Sequence, residues 1–334
     1  MARIGVIGGG AFGTAMACVV RRSGHDTAIW AREPEVVASI NASATNPVFL
    51  PGIALAPGIS ASGDIGAVAA GADVLVLAPP AQHMREVAGA LRPYLTPGVP
   101  AISCSKGIER GTLALMPEVL AQTLPASPAA VLSGPSFARE IAADLPCGVV
   151  LACKDASMLK MLSKELQNPR FCIHPSDDTI GAAIGGVMKN VLAIACGIAT
   201  GRGLGESARA TLFARGLAEM AQLGLALGAR LETFMGLSGA GDLSLSCNSS
   251  SSRNTSLGIA LGEGRTLREI LGERVTVQEG VHSAESVAAL AHRHGVDMPI
   301  TFAVDAVLNH GGAVEAEIDR LLAHPYRFDR VTAA

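Results

Sequence analysis

The residue with the clearest chemical potential is a lysine inside an apolar stretch. Lys189 is flanked by the runs GGVM at 185–188 and VLAI at 191–194, so a helix here has no polar face. Burial destabilises an ammonium group and lowers the pKa of a lysine toward the range that suits proton transfer near neutral pH. We therefore predict that Lys189 moves a proton in catalysis. The alternative is a lysine whose stem is buried while its head reaches water at a domain boundary.

Two further polar groups follow short apolar runs that have the character of strands. Lys106 comes soon after the run at 99–103, and Gly134 and Ser136 come after the run at 130–133. Ligands of open parallel sheets bind at the carboxyl ends of the strands, so these residues are candidates for substrate binding. The alternatives are a solvated loop lysine and an ordinary turn.

A polar segment in the second half combines an acid, a fixed cation, an amide and a hydroxyl. Asp242 lies in the run GAGDL, and Ser252, Arg253 and Asn254 fall near the end of the polar stretch at 246–256, which we predict to be a loop. Arginine, amide and hydroxyl donors together suit a phosphate or a carboxylate. A flexible surface connection is the alternative.

The amino terminus carries a glycine pattern typical of dinucleotide binding. Gly8, Gly10 and Gly13 form G-x-G-x-x-G between a predicted strand at 3–7 and a predicted helix at 11–22. In such a unit the first glycine makes the turn, the second lets the backbone approach a pyrophosphate, and the third brings the helix close to the strand. A structural glycine turn is the alternative. The glycine-rich loop of a kinase is disfavoured, because such a loop lies in a β-hairpin, whereas here a predicted helix follows the glycines.

Arg32 stands just beyond the second predicted strand, at 26–30. NAD-selective folds place an acid near this position for the ribose 2′-hydroxyl, whereas an arginine can pair with the 2′-phosphate of NADP. Glu33 follows directly, so the pattern favours NADP with NAD tolerated. A plain surface arginine is the alternative.

These residues require a frame of alternating strands and helices. Strand-like runs also occur at 73–78 and 148–152, and helical patterns occur at 82–91 and 113–123. Nearly continuous hydrophobicity in alternating order predicts an α/β fold, a doubly wound parallel sheet of Rossmann type covered on both faces.

After about Phe171 strand signals vanish and helical patterns take over. The helical patterns lie at 179–199, 206–227, 279–294, 300–308 and 314–323. We predict a dinucleotide-binding domain at 1–175 and an all-α, substrate-binding domain at 176–334.

The composition excludes several classes of protein. Of the 334 residues, 49% are hydrophobic and 16% are charged, with a net charge of −3, which argues against a disordered chain and against a basic nucleic-acid binder. Seven cysteines without C-x-x-C spacing predict neither a metal site nor a disulfide framework. In the apolar stretch at 180–200, Lys189 would cost about 3 kcal/mol at the centre of a bilayer, so we expect a buried helix and no integral membrane segment.

Taken together, these motifs resemble those of bacterial NAD(P)-dependent sn-glycerol-3-phosphate dehydrogenases. The similar blocks include GGGAFGTA at 8–15, SGPSFARE at 133–140, KN at 189–190, TFMGLSGAGDL at 233–243 and SSRN at 251–254. The resemblance implies a Rossmann domain followed by a helical domain, in a cytoplasmic homodimer. Such an enzyme uses NADP or NAD and supplies glycerol 3-phosphate for phospholipid synthesis.

The resemblance also implies roles for individual residues. Lys189 matches the proton-transfer lysine, Asp242 is its electrostatic partner, and Lys106 polarises the carbonyl or binds phosphate. Substrate contacts are implied for Lys106, Gly134, Ser136, Lys189, Asp242, Ser252, Arg253 and Asn254. Cofactor contacts are implied for Gly8, Gly10, Ala11, Phe12, Gly13, Arg32, Lys106, Ala138, Arg253, Val277 and Glu279. Ala11 departs from the family, which often has serine there.

Two other functions stay open at this point. One is a related two-domain hydroxyacid dehydrogenase, which also uses a lysine on a helix. The other is a non-catalytic dinucleotide sensor, which needs only the glycines of the first domain. The presence of Lys189, Asp242 and Arg253 together argues against the sensor.

Overall fold

The computed structural model describes residues 1–273 and 279–324, and it divides into two compact units. The first unit consists of Met1–Glu109 and Ala114–Ala183. The second consists of Arg110–Leu113 and the described residues from Ile184 onward.

The first unit is built on an eight-stranded sheet. Its strands are β1 (Arg3–Ile7), β2 (Asp26–Trp30), β3 (Ile59–Ser62), β4 (Val74–Leu77), β5 (Ala101–Ser103), β6 (Ala129–Ser133), β7 (Cys147–Ala152) and β8 (Phe171–Ser176). Their spatial order is β3-β2-β1-β4-β5-β6-β7-β8. The order reverses between β1 and β4, which is where a doubly wound sheet binds its ligand, at the carboxyl ends of the strands. The predicted α/β doubly wound fold is confirmed.

Helices cover both faces of this sheet. They are α1 (Ala11–Arg22), α2 (Pro34–Ser43), α3 (Ile65–Ala69), α4 (Met84–Leu91), α5 (Met116–Thr123), α6 (Ala138–Ala142) and α7 (Ala156–Leu166). Alternate residues of β4 point to opposite faces of the sheet. Val74 and Val76 belong to one apolar core, and Leu75 and Leu77 belong to the other. A strand buried on both sides is therefore apolar throughout, which is why β4 is so clear in the sequence.

Two expectations about this sheet are wrong. Strands do not end at Phe171, because β8 begins there and pairs with β7 in parallel. Along β8, Phe171 and Ile173 are buried while Cys172 and His174 are exposed, and this alternation belongs to a strand at the edge of a sheet. The sheet is also not wholly parallel, since β6 and β7 run antiparallel.

The second unit is helical, as predicted. Its helices are α8 (Thr179–Gly201, whose first residues belong to the first unit), α9 (Glu206–Ala226), α10 (Leu231–Met235), α11 (Asp242–Asn248), α12 (Arg253–Gly262), α13 (Leu267–Gly272), α14 (Glu279–His294), α15 (Pro299–Asn309) and α16 (Val314–Ala323). By length and composition α8 could cross a membrane, yet 94% of its most apolar stretch is buried inside the structure. The expectation of a buried helix is confirmed.

The contact between α8 and α12 is made backbone to backbone. A Cβ atom at Gly197 or Gly201 of α8 would overlap carbonyl oxygens of α12, at Thr255 and Ile259. A Cβ at Gly258 or Gly262 would likewise overlap carbonyl oxygens of α8. Four glycines thus bring these two helices much closer together than larger side chains would allow.

The predicted loop at 246–256 is mostly helical. Helix α11 continues to Asn248, and α12 begins at Arg253, so only residues 249–252 connect them. The hydroxyl of Ser252 accepts a hydrogen bond from Thr255 N and caps α12. Serine and asparagine favour helix starts as much as loops, which explains why the sequence pattern was misleading here.

Candidate active site

In the first unit the segment that carries the glycine pattern, Gly8–Gly13, forms a tight strand–turn–helix unit. We call this segment the glycine cradle. Gly8 has a φ of +123°, and a Cβ there would lie 2.9 Å from the carbonyl oxygen of Ala78. A Cβ at Gly13 would overlap the carbonyl oxygen of Gly8. Glycine is therefore required at both positions, by the backbone conformation at the first and by the close approach of helix to strand at the second.

The open side of this cradle is at Gly10. A Cβ built on Gly10 would meet no heavy atom of the described residues within 4 Å. Gly10 is also the residue before α1, so backbone N–H groups at the start of the helix are available to an anion. These features fit the pyrophosphate of a dinucleotide.

Other predicted cofactor residues of the first unit lie around the same helix. Ala11 and Phe12 begin α1, and Ala138 begins α6, which packs against α1. Arg32 lies beyond β2 with 79% of its side chain exposed, and its Nη2 is 3.0 Å from Oε1 of Glu33. The arginine predicted to favour NADP and the acid predicted to keep NAD possible are thus paired with each other.

Lys106, Gly134 and Ser136 come together because their strands are neighbours. β5 and β6 are parallel, with Ser103 opposite Val131, so the chain leaves both strands at the same edge. Nζ of Lys106 donates to the carbonyl oxygen of Gly134 at 3.2 Å, and Oγ of Ser136 donates to the same oxygen at 2.8 Å.

In the second unit Lys189 is paired with Asp242. Nζ of Lys189 lies 3.2 Å from Oδ1 of Asp242 and donates a hydrogen bond to Oγ of Ser246 at 3.0 Å. The lysine side chain is 15% exposed and the aspartate side chain 1%. The ammonium is therefore held by a carboxylate and a hydroxyl inside an apolar helical unit, where each polar contact is strong.

Close backbone packing brings this pair together. A Cβ at Gly185 would overlap the carbonyl oxygen of Ser238, so α8 touches the π-helical turn Leu237–Gly241 directly. Gly185 and Lys189 are one turn apart on the same face of α8. Asp242 follows that π-helical turn as the first residue of α11, and so it reaches the lysine.

The start of α12 adds the remaining polar groups of the second unit. Arg253 is the exposed first residue of this helix, and Nδ2 of Asn254 donates to Oδ1 of Asn190 at 2.9 Å. Asn190 is next to Lys189, so this bond ties α12 to the lysine-bearing part of α8. Glu279 begins α14, where a Cβ at Gly280 would overlap Oδ1 of Asn254. Val277 lies outside the described residues.

Two residues of these clusters were not predicted to take part. Ser246 falls at the start of the predicted loop. In the structure it lies four residues after Asp242 on α11, a spacing that places the two side chains on one face of that helix. Asn46 is fully buried, and its Nδ2 donates to the carbonyl oxygen of Gly9 in the glycine cradle at 2.9 Å. No local pattern marks that contact in the sequence.

Comparison with known proteins points to one family. The model of the NAD-dependent glycerol-3-phosphate dehydrogenase N-terminus matches residues 3–159, and that of the C-terminus matches residues 178–319. The glycerol-3-phosphate dehydrogenase (NAD(P)+) of Parvibaculum lavamentivorans is 51% identical over 97% of this chain and 97% of its own length. The corresponding protein of Caulobacter vibrioides is 50% identical over 97% and 98%.

A solved structure agrees with the sequence relatives. The glycerol-3-phosphate dehydrogenase of Coxiella burnetii superposes with a TM-score of 0.92 at 36% identity, covering 97% of this chain and 99% of its own. Sequence similarity at this level over nearly the whole length establishes common descent rather than a shared fold alone. This chain therefore belongs to the NAD-dependent glycerol-3-phosphate dehydrogenase family.

Proposed function

We propose that this protein is an NAD(P)-dependent glycerol-3-phosphate dehydrogenase. The reaction interconverts dihydroxyacetone phosphate, NAD(P)H and a proton with sn-glycerol 3-phosphate and NAD(P)+. Within the structure, the observation that carries this proposal is the Lys189–Asp242–Ser246 cluster in a family that performs this reaction. When bound, the nicotinamide supplies or accepts the hydride.

Lys189 exchanges the proton at the substrate oxygen on C2. In the direction of reduction its ammonium donates a proton to the carbonyl oxygen, and in the direction of oxidation its amine accepts the hydroxyl proton. Asp242 fixes the position of Nζ from 3.2 Å, and Ser246 accepts a further hydrogen bond from it. Oriented contacts of this kind lower the cost of placing the proton at the reacting atom.

We propose that the start of α12 binds the phosphate. Arg253 offers a planar fork of donors, and it lies at the amino terminus of a ten-residue helix. Asn254 and Ser252 flank it. Lys106 polarises the substrate carbonyl or binds its phosphate, with Gly134 and Ser136 beside it as further substrate contacts.

We propose that the glycine cradle, Ala11, Phe12, Arg32, Lys106, Ala138, Arg253, Val277 and Glu279 contact the cofactor. The exposed guanidinium of Arg32 suits the 2′-phosphate of NADP. Its pairing with Glu33 reduces that attraction and accommodates NAD as well.

The deciding experiment is oxidation of NADPH and of NADH by the full-length protein with dihydroxyacetone phosphate. Multiple turnovers that yield sn-glycerol 3-phosphate would support the proposal and exclude a non-catalytic sensor. A parallel panel of short hydroxyacids and their keto forms tests the related two-domain dehydrogenases. Turnover of one of those in preference to dihydroxyacetone phosphate would replace the proposed substrate.

We further propose a cytoplasmic homodimer that provides sn-glycerol 3-phosphate for glycerophospholipid synthesis, with a cofactor domain at 1–175 and a substrate domain at 176–334. Light scattering on the purified protein tests the dimer, and depletion in the host with measurement of phospholipid labelling tests the metabolic role.

A further inference from the structure

Asn46 makes an unusually complete set of hydrogen bonds beneath the glycine cradle. Its side chain is fully buried, and Nδ2 donates both to the carbonyl oxygen of Gly9 and to Oγ1 of Thr14, each at 2.9 Å. Oδ1 accepts from the backbone N–H of Phe49 at 3.2 Å. The two ends of the amide therefore cannot be exchanged, because one end faces acceptors and the other faces a donor.

The carbonyl oxygen of Gly9 is held from two sides. Besides the bond from Asn46, it accepts a hydrogen bond from Oγ1 of Thr14 at 3.2 Å, and Thr14 is itself buried. The three groups form a closed triangle on the protein side of the cradle. This fixes the rotation of the peptide unit that joins Gly9 to Gly10.

The fixed rotation determines where the next N–H group points. In a planar trans peptide the C=O and N–H bonds point in opposite directions. With the oxygen of Gly9 directed at Asn46 and Thr14, the N–H of Gly10 is directed away from the buried side. Gly10 is the position at which an added Cβ would meet no heavy atom of the described residues within 4 Å.

We propose that Asn46 is a positioning residue for cofactor binding, which orients the Gly9–Gly10 peptide so that its N–H faces the pyrophosphate. The inference rests on the proposed use of NAD(P). Asn46 comes from the chain segment after α2, and it acts through the backbone rather than by touching the cofactor. Loss of the Asn46 side chain should weaken the binding of ligands that carry a pyrophosphate and leave the binding of ligands without one unchanged.

The test measures binding by calorimetry, using full-length wild type and Asn46→Ala with NADH, ADP-ribose and adenosine. We expect the Kd of NADH and of ADP-ribose to rise at least about tenfold, the low end for losing one charge-assisted hydrogen bond, with the Kd of adenosine unchanged. In turnover, the KM for the cofactor should rise more than kcat falls.

Asn41→Ala is a matched control. Asn41 of α2 also exchanges two hydrogen bonds with the backbone, but its partner is Ala61 and not a residue of the cradle. It should lower stability without changing the Kd of ADP-ribose. If Asn46→Ala does not fold, Thr14→Val removes the second donor to Gly9 and should raise the Kd of ADP-ribose. Thr14→Ser keeps the hydroxyl and should leave that Kd at the wild-type value.

Three outcomes would overturn the inference. An equal increase in the Kd of adenosine and of ADP-ribose would show that Asn46 acts only on the stability of the whole unit. Unchanged affinity in Asn46→Ala, or in Thr14→Val where the first does not fold, would show that the peptide needs no such support. Failure of the wild type itself to bind NADH would remove the proposed function together with this inference.

Discussion

Replacement of Lys189 by methionine separates the chemical role of this residue from its structural role. Methionine keeps much of the volume of the side chain and its apolar stem but removes the ammonium. In the wild type that ammonium lies 3.2 Å from Oδ1 of Asp242, whose side chain is 1% exposed. The substitution therefore takes away both a proton donor and a cation that is paired with a buried carboxylate.

The two losses have different magnitudes. Loss of a positioned acid–base group lowers kcat by about 10²–10⁴. Removal of one partner of a buried ion pair costs about 3–5 kcal/mol, and we expect the lower end because the lysine side chain is 15% exposed. Adding Asp242→Asn removes the buried charge as well, so the double variant should regain most of the lost stability and none of the activity.

The assay combines urea unfolding with steady-state turnover of dihydroxyacetone phosphate, and Lys160→Met serves as control for the loss of an exposed lysine charge. We expect cofactor affinity in the single variant to stay near that of the wild type. Near-normal kcat in Lys189→Met would remove the lysine from the mechanism. A double variant no more stable than the single one would show that the ion pair does not account for the destabilisation.

Three further predictions concern other groups. Arg32→Ala should raise the Kd of NADPH about tenfold or more and that of NADH less, since the charge-assisted bond to a 2′-phosphate is lost; equal losses for the two cofactors would indicate adenine stacking instead. Arg253→Lys should lower kcat/KM for dihydroxyacetone phosphate about 10- to 150-fold, because an ammonium group cannot bind two phosphate oxygens at once. The weak turnover of dihydroxyacetone, which has no phosphate, should stay unchanged. A loss by the same factor for both substrates would indicate that Arg253 binds the cofactor and not the phosphate of the substrate. Burial raises the pKa of Glu219 from 4.5 to about 7 despite hydrogen bonds from Ile300 and Thr301, so the folded state binds this proton more tightly than the unfolded chain. The resulting stability is fully present below pH 4.5 and is lost as the pH rises through about 7, by up to about 3 kcal/mol; urea unfolding between pH 4 and pH 8 should show this loss in the wild type and not in Glu219→Gln.

The parts of the fold that could be predicted from the sequence are those that carry a regular apolar pattern. β1, α1, β2, α14 and α16 have the predicted bounds, because continuous apolar runs or regular helical spacing mark them clearly. The missed strands, β3 and β8, are the two edges of the sheet. An edge strand has one exposed side, so its sequence alternates and contains polar residues such as Ser60 and His174.

Those residues of the candidate site that stand out from their neighbours in the sequence could be predicted, whereas contacts between distant residues could not. Lys189 was identifiable because, apart from Asn190, the residues on both sides of it in the sequence are apolar. Its contact with Ser246 could not be predicted, since it depends on the close approach of α8 to the turn before α11. The hydrogen bond from Asn46 to Gly9 could not be predicted either, because it joins residues 37 positions apart in the sequence.

The four glycines between α8 and α12 limit how this protein can be made more heat-resistant. Glycine inside a helix costs roughly 1 kcal/mol relative to alanine, so its replacement is a standard route to stabilisation. At Gly197, Gly201, Gly258 and Gly262 a methyl group would instead strike the facing backbone and force the helices apart, and with them Asn190 and Asn254. An engineer should turn to Gly89 of α4, which is exposed and where a Cβ would meet no described heavy atom within 4 Å.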